Sequence, residues 1–251
     1  MKEWYKESFG QDYLLVYKHR DQQGALSEVG KMIQWLKLPQ KARIFDLCCG
    51  MGRHSLALAD HGFQMTGLDL SEVLLQQART LDEEKKVTWL QGDMRQIPLA
   101  EQSFDAVVNL FTSFGYFAED SENTKVLMEI DRLLVAGGRF IIDFLNPTYV
   151  EAHLVPTSHR EEEDVVIIEH RGIEEGCVRK RIQIHADGQP DRHYFEQVKL
   201  YQLSDFQQML SQTELVLDHV YGNYDGAPYE EMNSSRLIMV GTKKGSPRHV
   251  S

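Results

Sequence analysis

The chain has 251 residues, 42% hydrophobic and 26% charged, enough for one substantial core and ordinary for a soluble globular protein. Its formal net charge of -11 argues against a broad nucleic-acid or acidic-membrane surface, because both need a positive field. The three cysteines, two adjacent (Cys48, Cys49) and one remote (Cys177), make neither a disulfide framework nor a spaced zinc-ligand set, so no metal is expected. Residues 1–10 lack an apolar signal core and no stretch reaches the length of a membrane span, so the cytoplasm is the expected compartment.

In chain order, Val29, Met32, Ile33 and Leu36 fall at helical spacing and predict a helix over 26–36 that ends before Pro39. A short apolar strand at 43–48 follows, then a glycine-bearing turn at 49–52 and a helix over 55–61 stopped by Gly62. Strands at 63–69, 87–91, 104–110 and 139–144 then alternate with helices at 71–81 and 124–134, the latter closed by Gly137-Gly138. Alternation of this kind implies an α/β fold, a doubly wound and mostly parallel sheet covered by helices on both faces.

After Pro147 the pattern changes. Segments 165–170, 177–185 and 192–201 read as successive strands separated by turns at Glu175-Gly176 and Asp187-Gly188. A helix at 204–213, with Ser204 expected as its N-cap, leads to a strand pair at 215–221 and 236–242. Three parts are therefore expected: a core with an N-terminal helical segment over 1–146, an antiparallel β insertion over 147–203, and a closing helix and hairpin over 204–251. The insertion is expected to act as a lid over the open edge of the main sheet.

The chemistry is concentrated in 44–54, Ile-Phe-Asp-Leu-Cys-Cys-Gly-Met-Gly-Arg-His. A strand that ends in a glycine turn and opens a helix lets backbone N–H groups approach a ligand closely, outside the carboxyl ends of the strands. Gly50 and Gly52 alone would as readily serve a tight turn. Asp69 ends the second strand, where a carboxylate can accept both hydroxyls of a ribose. Asp93 follows the third beside Met94, where an acid can pair with an adenine amino group while the apolar side chain meets the ring. Taken singly, Asp69 and Asp93 would be solvated strand ends or caps; together and in order they converge on one crevice.

With Leu133-Leu134-Val135-Ala136-Gly137-Gly138 before the fifth strand, these motifs resemble the class I S-adenosylmethionine-dependent methyltransferases over about residues 38–146. The resemblance implies a seven-stranded sheet and S-adenosylmethionine as cofactor. It implies that Asp46 and the turn at Cys48, Gly50 and Gly52 hold the methionine end, Asp69 the ribose and Asp93 the adenine, with Leu70, Met94 and Leu110 beside them. Cys48 stands where the family's first glycine is usual, and the turn is expected to survive with slightly less room.

Gly92-Asp93-Met94-Arg95 and 109–116 are more narrowly similar to small-molecule N-methyltransferases, among them the amino-sugar N,N-dimethyltransferases, which also carry a β-rich insertion. That similarity implies that Tyr13, Tyr17 and Arg20 close over the cofactor, Arg20 near its carboxylate, and that Tyr17 and Tyr116 stand beside the methyl group as catalytic candidates, with His19 and Glu196 as further proton acceptors. The expected acceptor is a small molecule and the chain a monomer or homodimer. In the insertion, Arg179, Arg181, Gln183 and His185 share one strand face, which would suit a phosphate or carboxylate if it met the crevice and is otherwise solvated.

Three other functions are open. A nicotinamide-dependent dehydrogenase would want a third glycine where Ser55 stands. A nucleic-acid methyltransferase would want an Asn/Asp-Pro-Pro-aromatic loop or a loop cysteine after Asn109, and the loop has neither. A protein that binds the cofactor without turnover would keep the turn and the acids but need no catalytic loop.

Overall fold

The computed structural model describes residues 3–17, 22–162 and 164–245. Two short helices, α1 (Tyr5–Ser8) and α2 (Gln11–Val16), precede α3 (Gln22–Leu36). The core then runs β1 (Arg43–Leu47), α4 (Arg53–Asp60), β2 (Gln64–Asp69), α5 (Glu72–Leu81), β3 (Val87–Gln91), β4 (Phe104–Asn109), α6 (Asp120–Leu133) and β5 (Leu134–Leu145). A helix, α7 (Pro147–His153), leads into β6 (Thr157–Glu162), β7 (Val165–Glu174), β8 (Cys177–Ala186) and β9 (Arg192–Lys199). The chain closes with α8 (Leu203–Leu210), β10 (Leu215–Tyr221) and β11 (Arg236–Lys243).

The expected doubly wound sheet is present, with seven strands in the order β10-β11-β5-β4-β1-β2-β3. Strands β1 to β5 pair in parallel and β11 runs antiparallel to β5. The parallel strands read as near-continuous apolar runs because helices cover both faces. One face packs Leu47, Val107, Phe140 and Phe144 against α6 and α8, and the other packs Ile44, Val108 and Ile141 against α3 and α4. The expected antiparallel insertion forms a separate four-stranded sheet, β6-β7-β8-β9. Helix α2 packs Val16 and Tyr17 on one of its faces, against Ile167, Ile182 and Ile184.

Several boundaries differ from the sequence expectation, each for a local reason. Helix α8 is capped by Gln202 in a reciprocal box with Asp205, not by Ser204: Gln202 accepts the Asp205 N–H, and the Asp205 carboxylate accepts the Gln202 N–H at 2.7 Å. Strand β5 begins at Leu134, directly after α6, and absorbs Gly137-Gly138 beside a register shift against β4, so the glycines serve the strand and not the helix stop. Strand β6 was not foreseen, because its Thr-Ser-His-Arg-Glu-Glu run is polar throughout. The insertion sits across the carboxyl ends of the central strands and not along a lateral edge: Lys199 N–H donates to the Gly115 carbonyl at 2.9 Å. No helix among the described residues is long and apolar enough to cross a membrane.

Candidate active site

A cavity of about 380 Å³ opens between the carboxyl ends of β1, β2 and β4 and the inner face of the insertion. Its floor is made by the turns after β1, β2 and β3. Cys48, Gly50 and Gly52 all have left-handed backbone, φ 64°, 55° and 78°. The expected tight turn therefore forms with a cysteine in a conformation that favours glycine. A Cβ on Gly50 would meet nothing within 4 Å, whereas one on Gly52 would lie 2.2 Å from the Trp89 ring. The first glycine faces open space and the second is demanded by packing. Cys48 and Cys49 line the cavity, but burial pushes both thiols well above their ordinary range, which makes them inert.

Three acids stand along this floor. Asp46 is buried and accepts from the Ser55 hydroxyl at 2.5 Å; desolvation raises its pKa. Asp69 accepts the Gly50 N–H on one oxygen and the Ser71 N–H on the other, each at 2.8 Å. Burial nevertheless pushes its pKa to about 6. Asp93 is half-buried, and burial alone would raise its pKa, but hydrogen bonds from the Arg95 side chain and backbone outweigh that and hold the carboxyl low. Leu70, Met94 and Leu110 complete the apolar lining, with Met94 Sδ 3.5 Å from Cys48 Sγ.

Aromatic side chains from the N-terminal helices form the roof. Trp4 and Phe9 pack on Tyr116, and Tyr13 lies 4.4 Å, ring centroid to centroid, from Tyr17. Desolvation pushes the Tyr116 phenol well above its usual range, so it stays protonated. The Tyr17 hydroxyl donates to Glu196, with carboxylate oxygens at 2.7 and 2.9 Å, and also meets Lys180 Nζ. Lys180 bridges to Glu196 at 2.8 Å and lies 3.6 Å from Glu169, itself paired with Arg171. The structure thus brings Tyr13, Tyr17, Tyr116 and Glu196 to one wall. Arg20 and His19 lie outside the described residues.

A third wall joins the loop expected after β4 to two residues that the sequence did not single out, Asp143 and Arg236. The loop after β4 carries two consecutive non-glycine residues in left-handed conformation, Phe111 at φ 59° and Thr112 at φ 66°. Asp143, wholly buried on β5, holds them: its carboxylate accepts the Phe111 N–H at 3.1 Å and its carbonyl the Thr112 N–H at 2.8 Å. The same carboxylate takes the Tyr224 hydroxyl at 3.1 Å and Arg236 Nε at 2.8 Å. The available signal was one acid inside Phe140-Ile141-Ile142-Asp143-Phe144. Arg236 carried none, since its place depends on β11 pairing antiparallel to β5.

The basic row of the insertion does not line this cavity. Val178 and Lys180 do, so Arg179, Arg181, Gln183 and His185 point from the opposite face of β8. Arg179 is spent on Glu174, Glu175 and Gln197, and His185 on Asp191. Among the described residues no group of three or more His, Cys, Asp or Glu could hold a metal ion.

Residues 44–138 match the family described as a methyltransferase domain. A Bacillus subtilis (strain 168) chain named as a methyltransferase is 34% identical over 137 residues, covering 52% of this chain and 55% of its own length. The chain therefore spans little more than half of that relative. A dTDP-3-amino-3,4,6-trideoxy-alpha-D-glucopyranose N,N-dimethyltransferase from Streptomyces venezuelae is 24% identical, covering 86% of this chain and 92% of its own. Among solved structures, the CcbJ methyltransferase from Streptomyces caelestis superposes with TM-score 0.80 at 17% identity, over 95% of this chain and 98% of its own. The fold is that of the Rossmann-like methyltransferases.

Proposed function

Starting from a chain whose residues 44–138 form a methyltransferase domain, we propose that it is an S-adenosylmethionine-dependent enzyme that methylates a nitrogen, or else an oxygen, of a small molecule. One observation carries this: a single cavity joins the glycine turn and the acids Asp69 and Asp93 below to Tyr13, Tyr17 and Tyr116 above. Its volume is in the range of ordinary small-ligand sites. A nitrogen acceptor has further support in the relative named as an amino-sugar N,N-dimethyltransferase, which matches across 86% of this chain.

The residues present fit the cofactor. Open space above Gly50 lets a ligand approach the backbone there. Each Asp69 oxygen accepts one N–H, which leaves lone pairs for two ribose hydroxyls. Asp93 has both oxygens engaged by Arg95 and keeps acceptor capacity for an adenine amino group, with Met94 against the ring. Asp46 acts from beneath, fixing the helix start through Ser55, while the Cys48–Gly52 turn carries the methionine end. Tyr13, Leu70 and Leu110 wall the ligand in.

When bound, S-adenosylmethionine supplies a methyl group already activated on a sulfonium, for in-line displacement. The chain's part is alignment, exclusion of water and custody of a proton. An attacking amine must be neutral. Tyr116, held as a phenol, orients that nitrogen through its hydroxyl. Tyr17 gives a route outward for the proton, because its hydroxyl already donates to Glu196. The cations of the roof, Lys180 and Arg171, are ion-paired with Glu196 and Glu169, which suits a small acceptor better than a polyanion.

The test is calorimetric titration with S-adenosylmethionine, S-adenosylhomocysteine and NAD, followed by a screen of amines and amino sugars. Micromolar binding of both adenosyl ligands without response to NAD, and turnover of an amine, is the expected result. Binding of NAD alone would reinstate the dehydrogenase.

A further inference from the structure

On the premise that the cavity takes cofactor and acceptor together, its end beside β4, β5 and β11 has work that the acids and tyrosines leave unassigned. Arg236 is the first residue of β11 and pairs with Leu145, the last of β5, so antiparallel pairing brings the start of a strand to the carboxyl ends of the parallel strands. Its guanidinium lines the cavity. Nε is held by Asp143 Oδ1 at 2.8 Å, and Nη2 by the same oxygen at 2.7 Å and by the Thr112 hydroxyl at 3.0 Å. Nη1 has no hydrogen-bond partner among the described residues.

Asp143 shares its oxygens among Arg236, the Phe111 N–H and the Tyr224 hydroxyl and so aims the guanidinium. The Glu28 carboxylate, held low against its burial by His54, Arg53 and in part Arg236, is a second acid at this end. Phe111 stacks beneath: Arg236 Cζ lies 5.5 Å from its ring centroid and Arg53 Cζ, at the start of α4, lies 4.4 Å from it. Two guanidiniums thus border one end of the cavity, each beside a carboxylate, Asp143 for Arg236 and Glu28 for Arg53, so this end offers aimed N–H donors and no net positive charge. The loop that places Phe111 between them is kept in an unfavourable backbone conformation, a device found where a ligand is clamped.

We propose that Arg236, aimed by Asp143 and Thr112, docks a carboxylate or phosphate at this end of the cavity. Two sources carry that chemistry, the amino-acid tail of the cofactor and an acidic group on the methyl acceptor. The fork edge of Nε and Nη2 is spent on Asp143 and Thr112, so the ligand would take the two N–H groups of Nη1, and a charged oxygen makes a stronger bond there than a neutral hydroxyl.

Three variants test it: Arg236→Lys, Arg236→Gln, and Arg236→Gln with Asp143→Asn, the last removing both charges so that no lone carboxylate is left buried. A cooperative melt establishes that the double variant folds. Each is titrated with S-adenosylhomocysteine and with methylthioadenosine, which lacks the amino-acid tail. If the tail docks here, S-adenosylhomocysteine weakens by at least about tenfold, the loss of one charge-assisted pair, and methylthioadenosine is unchanged. If an acceptor group docks here, S-adenosylhomocysteine binds as before. Inorganic phosphate then raises the melting temperature of the wild-type complex but not that of the variants. Variants that match the wild type toward both ligands and toward phosphate overturn the proposal. A wild type deaf to S-adenosylhomocysteine would overturn the proposed function instead, and the phosphate titration of the ligand-free protein would still read the anion site.

Discussion

Asp69 shows how a residue can be set by two conflicting surroundings. Backbone N–H groups from Gly50 and Ser71 favour its charged form, yet burial wins and lifts its pKa from 3.8 to about 6. A carboxyl that binds its proton more tightly when folded stabilises the fold below its unfolded pKa, and this contribution is lost as pH rises through 6. Asp69→Asn should therefore flatten the fall in melting temperature of the ligand-free protein between about pH 4 and 6. Ribose hydroxyls need the ionised acceptor, so affinity for S-adenosylhomocysteine should rise with pH through the same window. Asp69→Ala should weaken that affinity by more than about 1 kcal/mol, and calorimetry showing equal binding would remove the ribose role. Tyr116→Phe should lower turnover by about tenfold or more with cofactor affinity nearly unchanged, and an unaltered rate would retire it.

At the scale of elements, the turn after β1 separates two glycines by cause. Gly52 is pinned between a left-handed backbone and the Trp89 ring, which is itself held by a 3.1 Å bond from Nε1 to Asp82. Gly52→Ala should lower stability by several kcal/mol, since backbone strain adds to overpacking. Gly50→Ala carries only the backbone strain, about 1 kcal/mol, but sets a methyl group where the cofactor would approach. Denaturant titration and ligand titration of the two variants should therefore rank them in opposite orders. The helix and strand periods, the glycine turn and the order of the acids were readable from local pattern, because each is a property of a few neighbouring residues. The Gln202–Asp205 cap, the polar strand β6 and the start of α6 were not, because polar side chains carry no periodicity to count.

For the whole molecule, the cavity is closed by parts that have little stability of their own. Helices α1 and α2 have 4 and 6 residues, too few to persist alone, and they lean on β9 and on the inner face of the insertion. Ser8 donates to the Phe195 carbonyl at 2.6 Å, and Asp12 takes Arg192 and Tyr194, both at 2.6 Å. A bound cofactor should add contacts to Tyr13 and Tyr17 and slow amide exchange over residues 5–16 by about tenfold or more, while the core sheet, already protected, changes little. Equal exchange with and without S-adenosylhomocysteine would mean that these helices take no part in closing the site.

The sequence by itself determined the doubly wound sheet, the antiparallel insertion and the floor of the cavity, because each acid and glycine there lies at the end of a strand or within a few residues after it and inherits its position from it. Only the tertiary structure decided the rest. Glu196 meets Tyr17 across 179 residues, and Thr112 meets Arg236 across 124. Lys180 faces the cavity while the arginines beside it do not, since the insertion presents one strand face to the core and the other away from it. Contacts of that kind depend on which strand edge meets which loop end, and no local pattern along the chain encodes them.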